Sequence, residues 1–386
     1  MKSIFLSMLA IAVLASCSKE ESSVPPGPEG KEMVVELTIG SGSLSSRAAG
    51  VATNASDKAI TNLTVFGVNP TTGAVVTKKY FGTLTDAGGG NKKVNFETTD
   101  QTTEIHVIAN IGSDLTTGGG ALDVQTFKSL KNAQASLLVT PGNAPSQTEG
   151  NVLMSGSTST INGTIGGATP ATASVSLNFI ASKIILKSLK RGAASVGTYG
   201  TDFELKNAIL TNVQTSAYYL RDNDSYIGAI ATDVRPVITK TWATGRSGQT
   251  DTEVTDFSQT ISITDFAPDA TATEDIGYWY IFENDEAIGG GGKPTSLLIH
   301  YLWKETTAGL MDKDMYLPIT FHTNDGGAIE PGKAYNVSLT FNGNFSPDGT
   351  GGGGTPDPDT PIVPGSVDVT VTPAAWTDQT TEKPFD

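Results

Sequence analysis

Residues 60–81 read ITNLTVFGVNPTTGAVVTKKYF. Leu63 to Val68 is rich in the β-branched and aromatic side chains that fit a pleated surface. Asn69-Pro70-Thr71-Thr72-Gly73 is a turn signal, since proline presets φ and glycine accepts a positive one. Ala74 to Phe81 then continues as a second strand. Glu104 to Ala109, Ser174 to Leu189, Phe203 to Val213 and Ala334 to Phe341 read as further strands. Ile276 to Phe282 and Ser296 to Lys304 look like partners around a glycine-rich connection. One helix is expected over Asp123 to Ala135, with Val124, Phe127, Leu130 and Ala133 or Gln134 as its apolar stripe. Strands dominate and helices are few and short, which predicts an all-β chain of two β-sandwich domains in tandem with Greek-key-like connections. Their boundary is expected in the Gly/Thr/Ala/Pro-rich segment from Ile161 to Ala173, giving domains over 48–170 and 171–345.

Each end of the chain adds a strand outside these domains. Met33, Val35, Leu37 and Ile39 fall on one face by the period of two, and Val34, Glu36 and Thr38 on the other. Residues 18–31, rich in Ser, Pro, Gly and Glu, suit a flexible tether before this strand. Gly40 to Ala49 is loop-like after it and carries Arg47. At the other end, Ser346 to Pro364 is Gly, Pro, Asp and Thr, a linker composition. Val367, Val369 and Val371 then alternate with Asp368, Thr370 and Thr372, and Trp376 follows. An amphipathic strand on a linker cannot form a core by itself and needs a sheet edge elsewhere.

Composition excludes several function classes. The formal net charge is -15, which repels nucleic-acid phosphates. No apolar run after residue 20 is long enough to span a bilayer. Lys2, the apolar stretch Ile4 to Leu14 and the small residues before Cys17 read as a secretory signal. Cys17 is the single cysteine, so neither a disulfide nor a Cys-based metal site is possible within one chain. His106, His300 and His322 lack metal-ligand spacing. Gly289 to Lys293 superficially resembles a phosphate loop, but Pro294 stands where Ser or Thr is needed. Leu317-Pro318-Ile319-Thr320 lacks the glycine of a sortase signal, because Phe321 follows. No pair of carboxylates is set up for acid/base work. Neither catalytic residues nor a metal or cofactor is expected. Tyr278, Trp279, Tyr280, Tyr301 and Trp303 could form a stacking platform for sugars. However, Tyr278 and Tyr280 share a face with Ile276 and Phe282, and Tyr301 and Trp303 share one with Leu297 and Ile299, which favours core packing.

Leu14-Ala15-Ser16-Cys17 resembles the lipobox of bacterial lipoproteins, and Ser18-Lys19-Glu20-Glu21 resembles the signal that sends Bacteroidetes lipoproteins to the outer face of the outer membrane. ITNLTVFGVNPTTG (60–73), EIHVIANIG (104–112), NVLMSG (151–156), SVSLNFIASKIILKSL (174–189) and IEPGKAYNVSLTF (329–341) together resemble the fimbrillin family, the major pilus subunits of Bacteroidales. The resemblance implies two transthyretin-like or Greek-key β-sandwiches plus a C-terminal donor strand. It implies that residues 1–17 are a lipoprotein signal with its lipobox, cut just before Cys17, which is acylated and becomes the new N-terminus, and that residues 18–47 hold a tether and a removable strand. It further implies that an Arg-specific protease cuts after Arg47, so that Ala48 begins the mature chain. Loops of small residues are where proteases act, and cutting at Arg246 would split the second domain. Residues 346–386 would supply the donor strand, with Val367, Val369, Val371 and Trp376 filling the place of Met33, Val35, Leu37 and Ile39 in another copy. The implied partners are copies of the chain in a head-to-tail polymer, together with anchor and tip subunits; the membrane is reached only through the precursor's lipid. The expected role is a shaft subunit of an extracellular fimbrium that supports adhesion. The alternatives are a tip subunit or a surface glycan-binding lipoprotein.

Overall fold

The computed structural model describes residues 30–41, 55–139, 142–163, 169–191, 203–221, 225–228, 235–263, 271–272, 276–286, 292–303, 311–321, 328–341 and 367–375. The fold is all-β. Its first half runs β1 (Glu32–Ser41), β2 (Leu63–Asn69), β3 (Ala74–Phe81), β4 (Thr85–Gly88), β5 (Asn91–Thr99), β6 (Glu104–Ala109), helix α1 (Phe127–Asn132), β7 (Met154–Thr158) and β8 (Ala171–Phe179). The β2–β3 hairpin turns as its residues dictate. The Asn69 side-chain oxygen accepts from the amides of Thr71 and Thr72, both at 3.1 Å, and Gly73 has φ 72°.

These strands form one sheet in the order β3-β2-β6-β7-β8-β1-β5-β4, with Ile161–Asn162 also paired to β8. The sheet folds over at β8. Ala171 to Leu177 pair with β1, whereas Asn178 and Phe179 pair with β7. A hydrogen bond between the Thr98 and Thr77 hydroxyls, 3.0 Å long, joins β5 to β3 from the two ends of the order. The interior is filled by the alternate residues Ala171, Ala173, Val175, Leu177 and Phe179 of β8, by all of β2, and by Val94 and Phe96 of β5.

The second half runs β9 (Ser182–Arg191), β10 (Phe203–Thr211), β11 (Ser258–Ile263), β12 (Gly277–Ile281), β13 (Ser296–Trp303), β14 (Lys313–Thr320), β15 (Lys333–Phe341) and β16 (Val367–Ala375). One sheet has the order Thr271–Ala272, β9, β15, β16, with β12 also on β9; another has β11-β10-β13-β14. Ile184, Leu186, Leu205, Tyr301, Trp303, Val337, Leu339 and Phe341 belong to their shared core.

Three expectations need correction. The stretch from Ser174 to Leu189 is two strands, because the Ile180 amide leaves the ladder for the Leu153 carbonyl and the Ala181 carbonyl accepts from Gly332, both at 2.9 Å. β8 belongs to the first sheet and β9 to the second set, so the chain passes from one to the other at Ile180 and Ala181. The helix spans only Phe127–Asn132. Upstream, the Asp123 carboxylate pairs with Lys78 and accepts from Gly119, and Thr126 caps the first turn. Downstream, Ala133 is already extended, at φ -68° and ψ 130°. Finally, β12 and β13 are not partners: β12 pairs with β9, and β13 lies between β10 and β14.

Candidate functional site

Alternation places Met33, Val35, Leu37 and Ile39 inward, and Val35, Leu37 and Ile39 are fully buried. β1 is not an edge strand. On one side it runs parallel to β8, from Val35 opposite Ala171 to Ser41 opposite Leu177. On the other it runs antiparallel to β5, from Glu32 opposite Thr99 to Ile39 opposite Lys92. A Glu36–Lys93 ion pair of 2.7 Å adds to the outer face. β1 therefore fills a slot walled by two ladders and floored by the core. Burying its four apolar side chains stabilises the fold by roughly 1.5–3 kcal/mol each. The β5 wall was missed in the sequence, although Val94, Phe96 and Thr98 alternate inward. Lys92, Lys93, Asn95 and Glu97 between them masked the signal.

At the other end, Val367, Val369 and Val371 lie in β16, which extends to Ala375. β16 pairs antiparallel with β15 of the same chain, from Phe341 opposite Val367 to Lys333 opposite Ala375. Among the described residues it ends its sheet and has a neighbour on one side only. Cys17, Arg47, Ala48 and Trp376 lie outside the described residues.

A third cluster ties the two halves of the chain together. The Asp57 carboxylate accepts from Lys183 Nζ at 2.9 Å, with both side chains buried, and also from the Tyr280 hydroxyl. Burial, then the bond to Asp57, pushes the Tyr280 phenol far above its ordinary range. Lys183 Nζ lies 4.6 Å from the centroid of the Tyr278 ring and 5.0 Å from that of Tyr280. Glu149 accepts from Ser56 at 2.6 Å and from the Tyr278 hydroxyl at 3.2 Å. Of the five aromatics, Trp279, Tyr280, Tyr301 and Trp303 are core residues, whereas Tyr278 is 42% exposed. Trp279 donates from Nε1 to the Asp256 carbonyl at 3.1 Å. His106 and His300 each meet a carboxylate, Glu104 at 2.9 Å and Asp314 at 2.8 Å. Among the described residues no group of three or more His, Cys, Asp or Glu could hold a metal ion.

No curated protein matches the chain significantly. Among solved structures, a candidate cell adhesion protein of Bacteroides eggerthii is 28% identical, with TM-score 0.66, over 90% of this chain and 97% of that one. A candidate cell adhesion protein of Parabacteroides distasonis is 15% identical, with TM-score 0.54, over 91% and 98%. A fimbrilin of Porphyromonas gingivalis is 15% identical, with TM-score 0.55, over 90% and 98%; at that identity these last two show the shared fold. Residues 211–376, a span that takes in β16, match the family model for the C-terminal domain of the FimA-like major fimbrial subunit protein. Residues 211–376 are thus similar to the C-terminal domain of FimA-like major fimbrial subunits, and about nine-tenths of the chain shares the fold of those structures.

Proposed function

We propose that this chain is a shaft subunit of a cell-surface fimbria that polymerises by protease-triggered strand exchange. The match of residues 211–376 to the C-terminal domain of FimA-like major fimbrial subunits supports a fimbrial role; the shaft position and the mechanism are our reading. The observation that carries it is the unequal standing of the two terminal strands. Among the described residues β1, of ten residues, is held by two ladders, and β16, of nine, by one. Cutting after Arg47 severs β1 from the rest of the chain and leaves it held by non-covalent contacts alone. An unoccupied slot would expose the buried floor and two rows of backbone amides and carbonyls, each costly without a partner. The C-terminal strand of a second copy gains a second ladder by leaving its edge for that slot, and its valines meet pockets of the right spacing. Residues 342–366 of the sequence are 25 in number and reach at most about 80–90 Å fully extended. Such a contact is heterologous and builds a filament. A tip subunit need not pass a strand onward, so the tail favours the shaft.

On this reading Cys17 carries the lipid of the precursor at the outer membrane, and Ala48 begins the mature chain in the fimbria. We take 18–47 as the removable segment and 346–386 as the donor segment. Between them we set the division of the two domains at Ile180. Treating purified precursor with an Arg-specific protease should yield SDS-resistant ladders whose N-terminal residue is Ala48. Arg47→Ala should leave a folded, unpolymerised lipoprotein. Ladders that begin at Cys17, or that form from Arg47→Ala, would sink the mechanism.

A further inference from the structure

Between the segment Pro145 to Glu149, which precedes β7, and the strands β11 and β12 there is a cavity of about 450 Å³, lined by Pro145, Thr148, Glu149, Asp256, Gln259 and Tyr278 among others. That volume lies within the range of about 300–1,000 Å³ usual for small-ligand sites. Tyr278 is the exposed residue of an otherwise buried run, Trp279 to Phe282. Its ring is already fixed in place. Glu149 holds its hydroxyl at 3.2 Å, Lys183 backs the ring at 4.6 Å, and Tyr280 meets it edge-on at 5.8 Å. A fixed, amphipathic aromatic offers contact area at little cost in conformational entropy.

We infer that this cavity binds a neutral saccharide unit, stacked on Tyr278 and hydrogen-bonded through its hydroxyls to Asp256, Gln259 and Thr148. The three polar side chains form no hydrogen bond of their own among the described residues. Together they supply a carboxylate acceptor, an amide with both donor and acceptor, and a hydroxyl. A sugar hydroxyl both donates and accepts, so this mixture suits it. A basic peptide side chain fits less well. The Glu149 oxygens already receive the Ser56 and Tyr278 hydroxyls, and the Lys183 ammonium stands against the same ring and repels a second cation. The site does not depend on strand exchange, since β1 and β16 take no part in it.

The test is to present the full chain, before and after cleavage, to an array of glucose-, galactose-, mannose- and N-acetylglucosamine-terminated oligosaccharides, with oligolysine and oligoarginine alongside. The expected result is saturable retention of at least one neutral oligosaccharide. Tyr278→Ala and Asp256→Ala should each weaken it about tenfold or more, and Tyr278→Phe should retain most of it. Thermal unfolding and protease-triggered ladders should be unchanged in all three variants. Should Tyr278→Ala fold poorly, the exposed Asp256→Ala decides the matter. No saccharide retained, affinity indifferent to Asp256→Ala, or retention of the basic peptides instead would each overturn the assignment.

Discussion

Glu283 is buried with its carboxylate facing a backbone amide and a hydroxyl. It accepts from Tyr226 N at 2.7 Å and from Ser225 Oγ at 2.9 Å. Burial pushes its pKa above the ordinary value and outweighs those donors, and Asp285 pushes the same way. A carboxyl with a raised folded pKa contributes stability that is fully present below its unfolded pKa of about 4.3 and lost as pH rises through the folded value. At pH 7 its charge therefore weakens the fold. Glu283→Gln keeps an acceptor for the Tyr226 amide and removes the charge. Urea denaturation should find the variant more stable than the parent at pH 7, with the gap closing as pH falls toward 4. A gap independent of pH would refute the assignment. Burial also raises the phenols of Tyr219 and Tyr226 to about 12, so their contribution is lost as pH rises from about 10, the ordinary value for tyrosine, through the folded one. A steric constraint acts at Gly156, the last residue of the NVLMSG motif. A Cβ there would come within 2.1 Å of the Ser176 carbonyl oxygen on β8. Gly156→Ala should cost about 1–3 kcal/mol through the forced backbone shift, read from the same urea curves.

At the scale of the element, β1 is indispensable to the precursor and absent from the proposed polymer, and one substitution separates those roles. Leu37 is fully buried in the slot, so Leu37→Ala should destabilise the precursor by about 2–5 kcal/mol. Once β1 has been cut away and replaced, the same change should leave the thermal stability of the polymer untouched. A polymer weakened along with its precursor would mean that β1 never leaves. β1 was legible because four alternating apolar residues stand between loop-like flanks, and β2, β3 and β6 were legible because turn residues bound them. What was not legible depends on distant partners. Adjacent runs at 276–282 and 296–304 suggest a hairpin, yet Trp279 pairs opposite Ile184 and Leu298 opposite Ile209, across long sequence separations. The helical stripe over 123–135 was real only in part. Gln134–Ser136 instead forms a ladder with Ser216–Tyr218, a partner no local pattern reveals. The exposure of Tyr278 escaped for the same reason, because Glu149 and Lys183, which hold it, come from other parts of the chain.

At the scale of the whole molecule, a chain of net charge -15 repels its own copies, most strongly at low salt. The proposed polymerisation therefore needs a contact that outweighs this repulsion, and a strand enclosed by two ladders in an apolar slot would supply one. The fold itself does not need β16. β15 keeps β9 as its other neighbour, and Val337, Leu339 and Phe341 keep their core. Deleting Val367 to Asp386 should therefore leave a monomer with the secondary structure of the parent and a cooperative unfolding transition. After cleavage at Arg47 the truncated subunit can accept a strand but has none to give. Mixed with intact subunits, it should shorten the ladders in proportion to its share, because each one incorporated ends a chain. Val369→Asp is the milder form of the same test. A charge on the valine face costs on the order of several kcal/mol if it stays ionised in an apolar slot, so polymerisation should weaken while the monomer stays folded. Cysteines placed at Val369 and at Val94, on the β5 wall of the slot, should cross-link between copies and only after cleavage. If the truncated protein polymerises as the intact one does, or if the cross-link forms solely within one chain, β16 remains at its own edge and the filament is built by another segment.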